Sequence, residues 1–183
     1  MISDTRKFIY CLDQMDTITH VNDDWIEFAM ENAQEGFVPN LVIGQPLWNF
    51  INSSKVQHLY SIVFGKARQG LFIHGLPYRC DAPDRRRFME MDLLPADDAI
   101  IQIKSTIVRE EAREYVPLLS DFRDMSSKIL TICSFCKKVR IGENHWEEIE
   151  EVIKLLGLAE AWPLPQLSHG VCEKCFDEWS SFN

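Results

Sequence analysis

The sequence predicts an α+β protein in three parts: a five-stranded antiparallel sheet with flanking helices over residues 1–107, a helical connector over 108–130, and a small cysteine-rich minidomain over 131–183. Three observations carry this prediction. In the first part, runs of alternating apolar and polar residues bracket segments of helical period. In the second, apolar residues recur at a four-three spacing. In the third, two Cys-x-x-C knuckles face each other across the segment between them.

The first part opens on a hairpin signal. Phe8 to Leu12 is β-prone, Asp13 to Asp16 supplies a turn, and Ile18 to Val21 is a second β-prone run. Asn22 then fits an N-cap, with Asp23 and Asp24 in the first turn where the helix dipole favours acids, and with Trp25, Phe28, Ala29 and Asn32 along one face. Gly36 to Gly44, holding Pro39 and Asn40, reads as a loop, and Pro46 to Ile51 as a short apolar helical turn. Ser53 or Ser54 caps a longer helix in which Val56, Leu59, Tyr60, Val63, Phe64 and Ala67 keep the 3.6-residue period until Gly70. Three strands close the part: Leu71 to Cys80, Arg85 to Leu94 and Ala99 to Val108, with turns at Asp81–Asp84 and Pro95–Asp98. In the last two strands, Met89, Met91 and Leu93 alternate with polar residues, as do Ile101 and Ile103, which is the pattern of an antiparallel sheet with one wet face.

The connector is predicted from Val108, Ala112, Tyr115, Leu119, Phe122, Ser126 and Ile129, which occupy a and d positions over about three heptads. This seam predicts a short dimerising helix, kinked or restarted at Pro117, whose ring removes a backbone donor and clashes with the preceding turn.

The knuckles are Cys133-Ser134-Phe135-Cys136 and Cys172-Glu173-Lys174-Cys175. Four thiolates complete a tetrahedral zinc shell and leave no open position, so the expected site is structural. A disulfide framework is disfavoured because Ile2 to Lys7 is polar and no apolar run follows, so that the expected compartment is a reducing cytoplasm. Attachment of c-type haem requires a histidine after the second cysteine, where Lys137 and Phe176 stand. Thiol redox chemistry remains open, because Lys137 and Lys138 beside Cys136 would favour a thiolate. His169, three residues before Cys172, is expected to support the zinc from outside its ligand shell or to replace one sulfur. His145 reads as a surface residue, and Cys11 and Cys80 as small buried apolar side chains in strands.

Charge and composition exclude several classes. Net charge is −9; residues 1 to 126 hold 13 Lys and Arg against 19 Asp and Glu, and residues 127 to 183 hold 6 against 9. Neither part is basic, so no nucleic-acid partner is expected. The basic run Arg85-Arg86-Arg87 reads as a solvated hairpin end. No apolar run approaches the length of a membrane span. No phosphate-binding glycine loop, nucleophile elbow, metalloprotease helix or kinase signature is present, and Asp97-Asp98 reads as a hydrophilic turn, so no enzymatic activity is expected. His58, on the longer helix, is a candidate haem ligand, since an axial imidazole needs only one placed nitrogen.

Two stretches resemble known families. Cys133 to Arg140, Trp146 with Glu147 to Glu151, and Ser168 to Cys175 resemble the cysteine-rich module that ends many bacterial PAS-containing signalling proteins, except that Glu173 stands where proline is common. Tyr10-x-Leu12-Asp13, Ile18-Thr19-x-Val21-Asn22 with Trp25, Gly44-x-x-Leu47-Trp48-x-Phe50-Ile51, and Tyr78-Arg79-Cys80-Asp81 resemble the PAS sensors of bacterial signalling, as does the order β-β-α-α-α-β-β-β. The resemblance implies a ligand- or redox-responsive PAS-like input domain coupled to a zinc-stapled module, without implying which ligand; a small molecule, haem or flavin is the candidate occupant of the PAS pocket. The expected protein is a cytoplasmic, homodimeric, non-enzymatic signal transducer that binds other signalling proteins. A thiol redox sensor, or a haem or flavin sensor, is the alternative.

Overall fold

The computed structural model describes residues 5–32, 41–120, 125–158 and 161–182. Two strands, β1 (Phe8–Leu12) and β2 (Ile18–Val21), form the expected hairpin. Asn22 caps helix α1 (Asp23–Asn32) by accepting the Trp25 amide on its side-chain oxygen at 3.0 Å. A 3-10 turn at Leu47–Phe50 leads to helix α2 (Ser54–Arg68), whose buried residues Val56, Leu59, Val63, Phe64 and Ala67 are those of its apolar period. Strands β3 (Ile73–Arg79), β4 (Arg85–Pro95) and β5 (Ile101–Ala112) follow. The five strands form one antiparallel sheet in the order β2-β1-β5-β4-β3. Its inner face, led by Leu12, Ile73, Leu76, Leu93, Ile101 and Ile103, closes on α2. The loop expected at Gly36 to Gly44 lies mostly outside the described residues.

The predicted helical connector is corrected. Val108 and Ala112 continue β5, Pro117–Leu119 is a 3-10 turn, and Ser126 and Ile129 lie in a strand, β6 (Met125–Cys133); Phe122 falls outside the described residues. The cause is cross-strand pairing. Arg85, Arg86 and Arg87 of β4 stand opposite Ala112, Glu111 and Glu110, and ion pairs join Arg85 and Arg87 to Glu110 and Arg86 to Glu111. Opposite charges across a ladder stabilise a strand, and here they outweigh the helical preference of Arg109 to Arg113. The basic run is therefore the ladder partner of an acidic one.

Beyond β6 come the two-residue strands β7 (Val139–Arg140) and β8 (Trp146–Glu147), helix α3 (Ile149–Leu155), strand β9 (Leu164–Gly170) and helix α4 (Glu173–Ser181). They build a second sheet, β8-β7-β6-β9, in which β6 and β9 run parallel. Gly170 permits their close approach, because a Cβ there would meet the Thr131 methyl at 2.7 Å. One face of this sheet packs Ile132 and Val139 against Val116, Leu118, Ile149 and Val152. Among the described residues no helix is long and apolar enough to cross a membrane.

The two sheets share a core. Phe135, Cys133, Cys172, Cys175 and Trp179 belong to the same buried cluster as Leu59, Phe64 and Leu76. The indole N–H of Trp179 donates to the Pro77 carbonyl at 3.1 Å, and the Phe135 carbonyl accepts the Arg79 amide at 2.7 Å. Both contacts lie on the outer edge of β3, where Pro77 costs no ladder bond.

Candidate metal centre

Four sulfurs converge at the C-terminal ends of the parallel pair. Cys133 ends β6, Cys136 follows in the tight turn, Cys172 caps α4 and Cys175 lies in its first turn. The turn is closed by the Lys137 amide donating to Cys133 O at 3.0 Å and the Cys133 amide to Lys138 O at 2.8 Å, with Lys137 in the left-handed region at φ 61°. A non-glycine residue adopts that conformation at a cost, here offset by the turn it allows. The second knuckle is held by the Phe176 amide donating to Cys172 O at 2.9 Å, the first bond of α4. Parallel pairing brings the two knuckles level, because β6 and β9 end together with Cys133 opposite Gly170.

The four ligand atoms lie within 4.8 Å of one another, and Cys136 Sγ stands 3.7 Å from Cys172 Sγ. A tetrahedron with metal–sulfur arms of about 2.3 Å has edges of about 3.8 Å, so the cluster has the dimensions of a zinc shell. A disulfide needs sulfurs about 2.05 Å apart, and all four thiols are free. Cys133, Cys172 and Cys175 are buried and Cys136 is partly buried. The residues present fit a divalent thiophilic ion. The four thiolates would hold it, and the ion would supply a cross-link between the knuckles.

Without an ion the sulfurs share protons. Hydrogen bonds from Cys136 and then Cys175 hold the Cys133 thiol far below its ordinary range against the opposing effect of burial, and the Cys172 amide adds a contact at 3.5 Å. The same contact with Cys133 pushes Cys136 up to about 12 and Cys175 upward as well. Cys133 is thus favoured to ionise before Cys136 and Cys175, and binding of a cation would release protons from thiols that hold them.

The other singled-out histidines stand elsewhere. His169 lies in β9 opposite Ile132, exposed on one face and bonded to none of the four sulfurs. Packing of its ring, and next the charge of Lys137, hold its imidazole below the usual value. His58 is exposed on α2; its ring stacks on Phe176 with centroids 6.4 Å apart and faces a surface groove, away from the sheet. It is not placed to ligate a haem inside the first sheet. His145 is exposed and pairs with Glu147 at 2.9 Å.

Sequence reasoning missed the residues that attach the cluster to the first sheet. The Arg79 guanidinium donates to Cys136 O at 2.9 Å and to Glu148 Oε2 at 2.8 Å, and it chelates Asp81. Asp81, whose side chain is 1% exposed, also meets Arg113, which reaches Glu150 at 3.3 Å. Glu150 in turn binds Arg86 at 2.7 Å. The signal was the three charged positions Arg79, Asp81 and Arg113 at strand ends, beside the acidic run Glu147 to Glu151.

No protein-family model matches the chain, and no curated protein matches it. Among solved structures, a domain of an HTR-like protein from Haloarcula marismortui ATCC 43049 is similar at a TM-score of 0.41 with 18% sequence identity, covering 56% of this chain and 98% of that one.

Proposed function

We propose that the chain is a non-enzymatic signal-transduction protein in which a PAS-like input sheet is coupled to a structural-zinc module that presents a protein-binding surface. The observation that carries the reading is the closed four-sulfur cluster at tetrahedral-edge spacing, built into the same core as the sheet. A shell of four protein ligands leaves no position for substrate or water, which suits a structural ion. The five-stranded antiparallel sheet with its two helices between β2 and β3 supports the PAS-like assignment. The heptad seam no longer argues for a homodimer, because its residues lie largely in strands.

Metal analysis of the purified protein tests this reading. About one zinc per chain is expected, lost on Cys133→Ala. Absence of zinc together with a Cys133–Cys136 disulfide in protein recovered from reducing cytosol would overturn it in favour of a thiol redox sensor.

A further inference from the structure

The edges of the two sheets are treated differently. The edge of β2 is covered by a loop, with the Ile18 amide donating to Gln45 O at 2.9 Å and the Gly44 amide to Ile18 O at 2.7 Å. The edge of β3 is covered by the first knuckle through Arg79 and Phe135. At the far side of the second sheet, β8 is only two residues long. By contrast β9 has seven residues and pairs with β6 alone, and among the described residues its outer edge makes no backbone hydrogen bond. Pro165 removes one N–H near the start of this edge, but the rest of it, through Gly170, is a template for another strand of the kind natural proteins usually blunt or cover.

A groove of about 520 Å³ follows this edge, lined by Leu167, Ser168 and His169 on one side and by Phe50, Ile51 and Val56 on the other. Successive strand residues project to opposite faces of a sheet, so three in a row line one groove only where it runs along the backbone. The lining side chains include no carboxylate. At the knuckle end stands Lys137; among the described residues its ammonium donates only to the carbonyl of Ser134, itself a lining residue of the groove, at 2.8 Å. An acidic chain thus offers at this spot an apolar trough and, among the described residues, a row of unpaired backbone groups and a cation without a counter-ion.

We propose that the outer edge of β9 is a peptide-docking site that takes one extended segment of a partner protein as an added strand, its alternate apolar side chains entering the groove and an acidic residue meeting Lys137. This deepens the reading of the module as a protein-binding surface and rests on it. A second copy pairing edge to edge would offer Leu164–Gly170, which holds no carboxylate to meet Lys137, so charge complementarity favours a partner segment with an acidic residue.

The test uses the full metal-loaded chain and a fluorescein-labelled heptapeptide that alternates valine with threonine and carries aspartate at both ends, followed by fluorescence anisotropy. Saturable binding is expected. N-methylation of alternate amides should weaken it about a hundredfold, since about three ladder bonds are lost, each worth about a kilocalorie. Lys137→Glu, checked for unchanged metal content, should weaken it about fivefold and reverse the preference toward a peptide with lysine ends. Equal binding of the N-methylated peptide overturns strand addition. One zinc per chain with no saturable binding overturns the docking site alone, whereas absence of zinc with binding intact overturns the metal reading alone. A wild-type dimer that the peptide dissociates identifies a second copy as the occupant and overturns the partner assignment.

Discussion

In the first sheet the inward residues Met89, Met91, Leu93, Ile101 and Ile103 are each 3% exposed or less, whereas β6 of the second sheet leaves Ser127, Lys128 and Ile129 exposed in succession and is buried only at Ile132 and Cys133. One sheet therefore stands on a continuous apolar face and α2. The other has a smaller apolar cluster, of Val116, Leu118, Ile132, Val139, Ile149, Val152 and Leu164, and relies in addition on the sulfurs at one end and on the charged junction with β3. Apolar area stabilises at about 25 cal/mol per Å² wherever it is buried, but a thiolate cluster and a buried ion network stabilise only when every member is present.

The largest expected effect breaks the second sheet. Cys172→Ser should abolish metal binding and with it folding free energy of the order of 10 kcal/mol, so that hydrogen exchange over residues 125–182 becomes fast. Because Phe135 and Trp179 lie in the common core, the first sheet should also lose several degrees in Tm. An unchanged melting transition for β1 to β5 would show that the two sheets are energetically separate.

Next comes the junction. Arg79→Ala leaves Glu148 without its cation and Asp81 with Arg113 alone, and removing one member of a buried ion network costs about 3–5 kcal/mol in urea unfolding. Arg85→Ala removes the pairs of a side chain 43% exposed and should cost less than about 0.5 kcal/mol, although it too is an arginine between acids.

A smaller effect is confined to the first sheet. Burial alone would raise Asp92, but Lys104, the Gly75 amide and His74 outweigh it and hold its carboxyl below the usual range. A depressed carboxyl contributes stability that is present above the unfolded value of about 3.9 and is lost as pH falls through the folded value. Asp92→Asn should therefore cost about 1 kcal/mol at pH 7 and nothing in strong acid, with metal content unchanged.

The difference between the sheets also explains what was legible in the sequence. The hairpin Phe8–Val21, the Asn22 cap and the period of α2 are local, and each appears where the residues place it. So do the four cysteines, because their spacing encodes the turns that aim them. The connector was misread because Val108, Ala112, Ser126 and Ile129 satisfy a helical repeat over a stretch whose structure is decided by partners twenty or more residues away, Arg85 to Arg87 for β5 and Leu164 to Gly170 for β6. The parallel partner of β6 leaves no signature in its own segment. The attachment of the knuckle to β3 was hidden for the same reason, since Pro77 and Arg79 announce an edge but not what covers it.

That attachment bears on how an event at one sheet would be felt at the other. Arg79 bonds the Phe135 carbonyl through its amide and the Cys136 carbonyl through its guanidinium, so the edge of the five-stranded sheet and the sulfur turn form one rigid joint. Such a joint is no lever arm. It is a thermodynamic exchange: any molecule that favours one arrangement of the sheet edge changes the affinity of the sulfurs for their ion by some factor, and the ion changes the affinity for that molecule by the same factor. Free zinc concentration and the occupant of the sheet would then be two inputs read by a single equilibrium.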